Sequence, residues 1–216
     1  EFVSIIGKSG SGKSTLLNMI TGIDRPSTGE VMVNGSAIHH MSENQLAGWR
    51  GGNMGIIFQF FQLLPSLSLM QNVILPMDFC NRYPYDERAD RAMALLKLVG
   101  LENMADKLPA MVAGGQQQSA AIARALANDP PIILGDEPTG NLDTHTGEEV
   151  MNILSALNRA GRTVIVVSHD LRLSGFADRV LRMEDGRVLR EEPGGRTADP
   201  RGDERPRAPI VTEASS

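Results

Sequence analysis

A glycine-rich stretch near the start of the chain constrains the fold more than any other feature. It fits the pattern G-x-x-x-x-G-K-[ST], in which backbone N–H groups surround an anionic phosphate. An apolar strand pattern precedes it and a helical pattern follows, so the positive end of a helix dipole faces the same phosphate. The sequence therefore predicts a nucleotide-phosphate site formed by Gly7, Lys8, Ser9, Gly10, Ser11, Gly12, Lys13, Ser14 and Thr15.

Two side chains of this loop have predicted chemical roles. Lys13 is expected to reach the β- and γ-phosphates as a point charge. Its ammonium group has only hydrogen-bond donors, which suits an anion. The Ser14 hydroxyl is a hard oxygen ligand of the kind that Mg²⁺ prefers. The sequence thus predicts a bound nucleotide together with Mg²⁺.

Composition excludes several classes of protein. The 216 residues are 41% hydrophobic, enough for one large domain or a domain with a subdomain. The formal net charge of −5 gives no support for a nucleic-acid partner. Apolar runs are all shorter than the roughly 18 residues that a membrane span requires. The single cysteine, Cys80, is predicted to be a reduced, small apolar side chain.

Strand patterns alternate with helical patterns along most of the chain. The runs 132–136 and 163–168 are nearly all apolar, which is typical of parallel strands buried on both faces. Residues 66–127 show helical spacing and no strand pattern, so a helical insertion is predicted there. Its best-defined helix, 88–99, is expected to bury Ala89, Met93, Leu96 and Val99. The predicted fold class is α/β with a mostly parallel sheet covered on both faces.

The two ends of the sequence need separate interpretation. Residues 191–216 are rich in proline and mixed charge, and we predict a disordered tail there because few apolar groups offset the entropy of ordering. Residue 1 already lies within a strand pattern, so we expect this sequence to lack its true N-terminus.

Two carboxylates end the predicted strand 132–136. A P-loop fold is expected to place this strand beside the first one, so that Asp136 holds Mg²⁺, mostly through water. Glu137 is predicted to face the γ-phosphate and to orient the attacking water or accept its proton.

Two further polar residues end predicted strands. His169 is expected to donate a hydrogen bond to the γ-phosphate, since ligands of open α/β sheets bind at the carboxyl edge. Gln59 is predicted to contact both Mg²⁺ and the attacking water while the apolar loop after it moves. The other histidines, His39, His40 and His145, are predicted to be surface residues.

In this order, the motifs over about residues 1–190 resemble the nucleotide-binding subunits of ABC transporters. The matching elements are the glycine-rich loop, Gln59, residues 112–116, Asp136 with Glu137, residues 142–143, and His169. The segments 114–118, 122–126 and 136–143 are most similar to the macrolide-export, lipoprotein-release and cell-division branch.

The resemblance implies a P-loop NTPase of the RecA-like type that uses ATP and Mg²⁺. The RecA-like core would comprise about residues 1–65 and 128–190, with the helical subdomain at 66–127. Two subunits, identical or homologous, would pair head to tail around two ATP molecules. Each ATP would lie between the glycine-rich loop of one subunit and the signature segment of the other, with Asp143 coupling the two sites at the dimer interface. That signature segment is Ala113, Gly114, Gly115 and Gln116.

The resemblance also implies a membrane permease on another chain. The helical insertion and the loop after Gln59 would pass the motion of the dimer to that permease. The protein would then lie peripherally on the cytoplasmic face of a bacterial inner membrane.

The sequence departs from the family pattern at three points. Ala113 replaces a serine, and one lost hydrogen bond to a charged group is worth about 1.5–3 kcal/mol, or roughly 10- to 150-fold in rate. Ser119 replaces an arginine that is usual in this branch. The family's adenine-stacking aromatic precedes the P-loop and is not in this sequence.

These departures leave a second reading open, a regulatory subunit that binds ATP and scarcely hydrolyses it. A DNA-repair or chromosome-structure ATPase would carry a long coiled coil between Gln59 and the signature, where this chain has a short helical insertion. A small-molecule kinase would share the P-loop without the signature, Glu137 and His169 together.

Overall fold

Eight strands lie in the part of the chain that this computed structural model describes, residues 1–196. They are β1 (Phe2–Ile6), β2 (Met32–Val33), β3 (Ser36–Ala37), β4 (Met54–Ile57), β5 (Ile132–Asp136), β6 (Thr163–Ser168), β7 (Arg179–Glu184) and β8 (Arg187–Pro193). Six of them form one sheet in the order β4-β5-β6-β1-β7-β8, in which only the β7–β8 pair is antiparallel. Strands β2 and β3 form a separate antiparallel pair.

Six α-helices accompany these strands in residues 1–196. They are α1 (Lys13–Ile20), α2 (Glu43–Asn53), α3 (Leu69–Cys80), α4 (Arg88–Leu98), α5 (Gly114–Ala125) and α6 (Thr144–Arg159). Helices α3, α4 and α5 follow one another without an intervening strand and share a core of their own, which includes Val73, Met77 and Leu96. Ser42 is the N-cap of helix α2. Its hydroxyl accepts from the Gln45 backbone N–H, and its own backbone N–H donates to the Gln45 side chain, which together form a capping box.

Apolar side chains cover both faces of the large sheet. On one face, Phe2 and Val164 pack in a cluster with Leu154 of α6. On the other face, Ile5 and Val167 pack in a cluster with Leu17 of α1. A mostly parallel sheet must be covered in this way because its crossover helices lie on its faces. The predicted α/β fold class is confirmed.

Strand β5 does not lie beside β1, contrary to the sequence prediction. Strand β6 lies between them and pairs in parallel with both, so that Val167 aligns with Ile5 on one side and Asp136 on the other. The nearly continuous apolar sequence of β6 suits this central position, where both faces and both edges are covered. As a result, Ser168 at the end of β6 lies between the glycine-rich loop and the carboxylates of β5.

The buried face of α4 is rotated relative to the prediction. Ala92 is fully buried, whereas Ala89 is exposed and Met93 is 36% exposed. Arg88 lies on the same buried face as Ala92 and Leu96 and forms an ion pair with Asp78 at 2.6 Å. A buried arginine needs such partners, so the ion pair and the apolar packing both favour this rotation.

The predicted tail does not begin at residue 191. Strand β8 continues to Pro193, and its pairing with β7 aligns Glu191 with Leu181. Glu192 is also held there, because its carboxylate lies 3.3 Å from the Arg182 guanidinium. Backbone pairing and charge pairing thus compensate for the sparse apolar residues. The remainder of the predicted tail, residues 197–216, lies outside the described part of the chain.

A buried asparagine, Asn72 in α3, fixes the loop that joins β4 to α3. Its side-chain nitrogen lies 3.0–3.1 Å from the carbonyl oxygens of Leu64, Leu67 and Ser68. Its side-chain oxygen accepts from the Leu64 N–H at 2.8 Å. One side chain therefore bonds to four backbone groups at this end of the loop.

Substituting Asn72→Ala removes all four of these side-chain hydrogen bonds, and of the backbone groups involved only the Leu64 and Ser68 carbonyls keep a backbone partner, the N–H groups of Leu67 and Asn72. We expect the free energy of unfolding to fall by roughly 3 kcal/mol, since each unsatisfied buried group carries a desolvation cost. Urea denaturation measures the change. Asn44→Ala, at an exposed position of α2, is the control and should change stability by no more than about 0.5 kcal/mol. A loss no larger than that of the control would contradict this role for Asn72.

Candidate functional site

The glycine-rich loop joins β1 to α1 at the carboxyl edge of the sheet. A Cβ at Gly7 would lie 2.2 Å from the Met183 carbonyl oxygen, so no side chain fits there. Gly12 has a φ of 93°, a conformation that residues with a Cβ rarely adopt. Gly12 is also the N-cap of α1 and provides no side-chain cap, which leaves the first N–H groups of the helix available to an anion.

Lys13 is held across this loop by its side chain. Its ammonium group donates to the carbonyl oxygens of Gly7 at 2.8 Å and Lys8 at 2.9 Å, and the residue is only 7% exposed. An ammonium group has three donors, so one remains for a phosphate oxygen. The structure thus positions the cation that the sequence predicts for phosphate binding.

Ser14 and Asp136 meet although they are far apart in sequence. The Ser14 hydroxyl donates to the Asp136 carboxylate at 3.1 Å. Burial raises the pKa of Asp136 above its ordinary value and the charge of Glu137 raises it further, against the opposing effects of Ser14 and Lys13. A carboxylate held in this way favours a cation beside it, and the hydroxyl and carboxylate oxygens are ligands that suit Mg²⁺.

Glu137 is fixed by the end of β6. One carboxylate oxygen accepts from the Ser168 hydroxyl at 2.9 Å, and the other accepts from the His169 backbone N–H at 3.1 Å. Glu137 adopts a left-handed φ of 48°, and its own N–H donates to the Val167 carbonyl at 2.9 Å. The sequence analysis predicts no role for Ser168. The feature that could have indicated one is its position at the end of a buried strand, directly before His169.

His169 contacts Glu137 through its side chain as well. Its ring Nδ1 lies 2.9 Å from a Glu137 carboxylate oxygen. Because a carboxylate accepts, Nδ1 carries the proton in this contact, and a neutral ring then offers Nε2 as an acceptor. Donation from His169 to a γ-phosphate, which the sequence predicts, therefore requires either a ring protonated on both nitrogens or the other tautomer, in which the Nδ1–H bond to Glu137 is lost.

Gln59 lies at the same edge, two residues after the end of β4. Its backbone carbonyl accepts from the Asn141 side chain at 2.9 Å. It lines a cleft of about 1270 Å³ together with most of the glycine-rich loop, Asp136, Glu137 and His169. The structure thus brings together the residues that the sequence assigned to phosphate, metal and water.

The signature segment does not line this cleft. Ala113 is the N-cap of α5 and has no side-chain acceptor, while its own N–H donates to the Gln116 side chain at 3.0 Å. Ala113 and Gly114 are exposed. The start of α5 therefore presents backbone N–H groups to the outside of the chain rather than to its own cleft.

Asp143 caps α6 and lies near the signature. Its two carboxylate oxygens accept from the Thr146 backbone N–H at 3.1 Å and from the Thr146 hydroxyl at 2.6 Å, and these bonds lower the pKa of Asp143. A Cβ at Gly115 would lie 2.4 Å from the Thr146 methyl group. Thr146, which the sequence did not single out, therefore joins the segment after Glu137 to the start of α5.

The remaining histidines do not line the cleft. His40 and His145 are exposed, as predicted. His39 is not a simple surface residue, because its ring is partly buried and accepts from the Val31 backbone N–H at 3.1 Å. Its position directly after the β2–β3 hairpin explains this contact.

The phosphate cradle and the paired carboxylates at the edge of a mostly parallel sheet define a P-loop nucleotide-binding protein. The chain belongs to the ABC transporter family, whose model matches residues 1–140. The resemblance stated from the motifs is thereby confirmed.

Relatives and solved structures agree with this assignment. The chain is 47% identical over 188 residues to an uncharacterized ABC transporter ATP-binding protein of Thermotoga maritima, covering 87% of this chain and 80% of that one. It is 44% identical to the macrolide export ATP-binding/permease protein MacB of Sodalis glossinidius, over the whole chain but only 32% of that protein. The ATP-binding cassette MJ0796, solved as a dimer with ADP and Pi, has a TM-score of 0.83 and 46% identity, covering 92% of this chain and 87% of that one.

Among residues 1–196, no helix is both long enough and apolar enough to cross a membrane.

Asp136→Asn tests the electrostatics of the site without Mg²⁺ or nucleotide. The pKa of Asp136 is raised from 3.8 in the folded chain, so its contribution to the free energy of unfolding falls as pH rises through the interval above 3.8. We expect the variant to be more stable than the wild type at neutral pH, with a gain that shrinks towards about pH 4.

Urea denaturation at neutral and acidic pH measures this difference. Asp106→Asn, at an exposed position, is the control and should show no such gain. A gain that is the same at both pH values would show that burial of the Asp136 charge is not its cause.

Proposed function

We propose that this chain is the ATP-hydrolysing subunit that powers an ABC transporter of the export or lipoprotein-release type through a separate membrane permease. The observation that carries the proposal is the Glu137 carboxylate, fixed by Ser168 and His169 in the cleft that the glycine-rich loop also lines. Two findings support ATP hydrolysis as the activity. The chain belongs to the ABC transporter family, and a relative was solved with ADP and Pi.

ATP binds through the loop from Gly7 to Thr15. Lys13 places a positive charge between two loop carbonyls, and the start of α1 provides N–H groups for the phosphate oxygens. The charge and the dipole stabilise an anionic ligand without the large rearrangement that a flexible site would need.

The residues present fit Mg²⁺, with Ser14, Asp136 and Gln59 as the groups that would hold it. Bound there, the ion would neutralise charge on the phosphates. Asp136 favours a cation because it is a partly buried carboxylate next to Glu137. Residues 1–196 contain no cluster of three acidic, histidine or cysteine ligands, so these three side chains would act with phosphate oxygens and water.

Glu137 orients the attacking water and accepts its proton, while His169 and Ser168 keep the carboxylate in place. A fixed carboxylate at the right distance lowers the entropic cost of the reaction. Gln59 is positioned to contact the same water, because it lines the same cleft.

A second subunit, identical or homologous, completes the site. The start of α5 is exposed and lies outside the cleft of its own chain, so in a head-to-tail dimer Ala113, Gly114, Gly115 and Gln116 would face the partner's ATP. Asp143 couples the two sites through Thr146, which touches Gly115. MJ0796, solved as a dimer, supports this arrangement.

The permease docks on the helical region and on the loop after Gln59. Phe60, Phe79 and Tyr85 are 72%, 81% and 84% exposed, and large exposed aromatic side chains favour a protein partner. The relative MacB is named as an ATP-binding/permease protein, and this chain matches about a third of its length. The complex would place this chain peripherally on the cytoplasmic face of a bacterial inner membrane.

A second candidate function is a regulatory subunit that binds ATP and hydrolyses it slowly. The observation that favours it is Ala113, which offers neither a cap to α5 nor a hydroxyl to a partner's phosphate. The backbone N–H groups of the helix start are kept, so ATP binding and dimer formation need not be lost.

Substituting Glu137→Gln should abolish turnover and leave ATP binding intact, because the amide keeps the shape of the side chain and cannot accept the proton of water. We expect the rate to fall by more than about 100-fold, with a dimer that persists in ATP. Phosphate release and size-exclusion chromatography with ATP measure the two effects. Glu102→Gln, at an exposed position, is the control. Hydrolysis at the wild-type rate by Glu137→Gln would remove Glu137 from this role.

Substituting Ala113→Ser tests the signature. A serine N-cap should stabilise the chain by about 1 kcal/mol, and its hydroxyl should raise the rate of ATP hydrolysis roughly 10- to 150-fold if it reaches the partner's phosphate. Ala113→Gly is the matched control, since glycine is a better N-cap than alanine and carries no hydroxyl.

The two variants separate the proposed functions. A faster Ala113→Ser with an unchanged Ala113→Gly would show a competent site slowed at the signature. Equal and substantial rates of ATP hydrolysis in the wild type and both variants would show that the backbone N–H groups of α5 suffice for hydrolysis. ATP binding without hydrolysis in all three would favour the regulatory subunit.

A further inference from the structure

The loop that carries Gln59, residues 58–68, is held at both ends by asparagine side chains. Asn141 donates to the Gln59 carbonyl at 2.9 Å. At the other end, Asn72 bonds to the backbone of Leu64 and of the residues that follow it. We call this segment the Gln59 loop.

The middle of the Gln59 loop has an unfavourable backbone conformation. Phe61 and Gln62 are consecutive and both left-handed, with φ values of 55° and 52°. Residues with a Cβ rarely adopt this conformation, and two in succession persist only where other contacts compensate. The compensating contacts must therefore act between the two asparagine anchors.

Arg124 supplies these contacts. One of its guanidinium nitrogens donates to the Phe61 carbonyl oxygen at 2.8 Å, and the other donates to the Gln62 carbonyl oxygen. The planar guanidinium group presents two donors in a fixed geometry, which suits two neighbouring carbonyl groups. A lysine ammonium keeps the charge but does not reproduce this geometry.

Arg124 also connects the Gln59 loop to the signature helix. It lies in the last turn of α5, the helix that begins at Gly114. At the other end of the helix the Phe61 ring lies near Gly114, 3.8 Å from where a Cβ would be. The loop therefore lies close to both ends of the helix whose start is exposed.

We propose that Arg124 is a positioning residue for ATP hydrolysis, which holds the left-handed turn of the Gln59 loop and thereby places Gln59 against Mg²⁺ and water. Its catalytic part rests on the proposed function, while its structural part concerns the loop alone. Arg124 acts through the backbone of Phe61 and Gln62 and does not touch the nucleotide.

The test compares Arg124→Lys with Arg50→Lys. Arg50 is the control because its guanidinium also donates to two consecutive carbonyl oxygens away from the cleft, those of Thr21 at 3.2 Å and Gly22 at 3.1 Å, but through a single nitrogen. Amide hydrogen exchange of residues 60–64 reports on the loop. Phosphate release at varied Mg²⁺ and ATP concentrations gives kcat, the Mg²⁺ requirement and the affinity for ATP.

Arg124→Lys should exchange its amide protons faster at residues 60–64, while Arg50→Lys exchanges there like the wild type. We expect kcat to fall by about 10-fold or more in Arg124→Lys, since small displacements of a catalytic group have large effects on rate. Half-maximal activity should need more Mg²⁺, with ATP affinity within about twofold of the wild type.

Two results would overturn the proposal. Unchanged exchange at residues 60–64 in Arg124→Lys would show that Arg124 does not hold the loop. Faster exchange with wild-type kcat and Mg²⁺ dependence would show a structural contact without a catalytic role. A wild-type chain that binds ATP and does not hydrolyse it would instead contradict the proposed function, and hydrogen exchange would still decide whether Arg124 holds the loop.

Discussion

The parallel pairing of β6 with both β1 and β5 is the interaction on which the rest of the structure depends. It brings the glycine-rich loop, Ser168, Asp136 and Glu137 to one edge of the sheet. Glu137 then bonds to the end of β6, and Ser14 reaches Asp136 across the edge. Parallel strands make such a site possible because all their carboxyl ends point to the same side.

Helix α5 connects the parts of the molecule that a transporter subunit must coordinate. Its start is exposed, and Arg124 near its end holds the Gln59 loop. Between them, the buried Gln118 donates to the carbonyl oxygen of Pro138, directly after Glu137. A displacement of this helix would therefore act on both the Gln59 loop and the segment after Glu137 through these hydrogen bonds.

The absence of a serine hydroxyl at Ala113 has two separate effects, and only one of them is visible in the sequence. The sequence shows one missing hydroxyl, whose absence would affect a bound phosphate. The structure adds a second effect, because residue 113 is the N-cap of α5 and alanine cannot accept from the helix N–H groups. Under the proposed function, residue 113 would affect both stability and catalysis, and a comparison of serine with glycine distinguishes the two effects.

The sequence by itself determined the glycine-rich loop, the class of fold and the family, because these depend on local patterns: a glycine-rich turn, apolar strands, and polar residues where strands end. Tertiary structure decided the order of the strands, the rotation of α4 through the buried Arg88, and the extension of β8 to Pro193. It also brought Ser168 to Glu137, Thr146 to Gly115 and Arg124 to the Gln59 loop. These features depend on partners distant in sequence, and a local pattern carries no information about which distant group a side chain will meet.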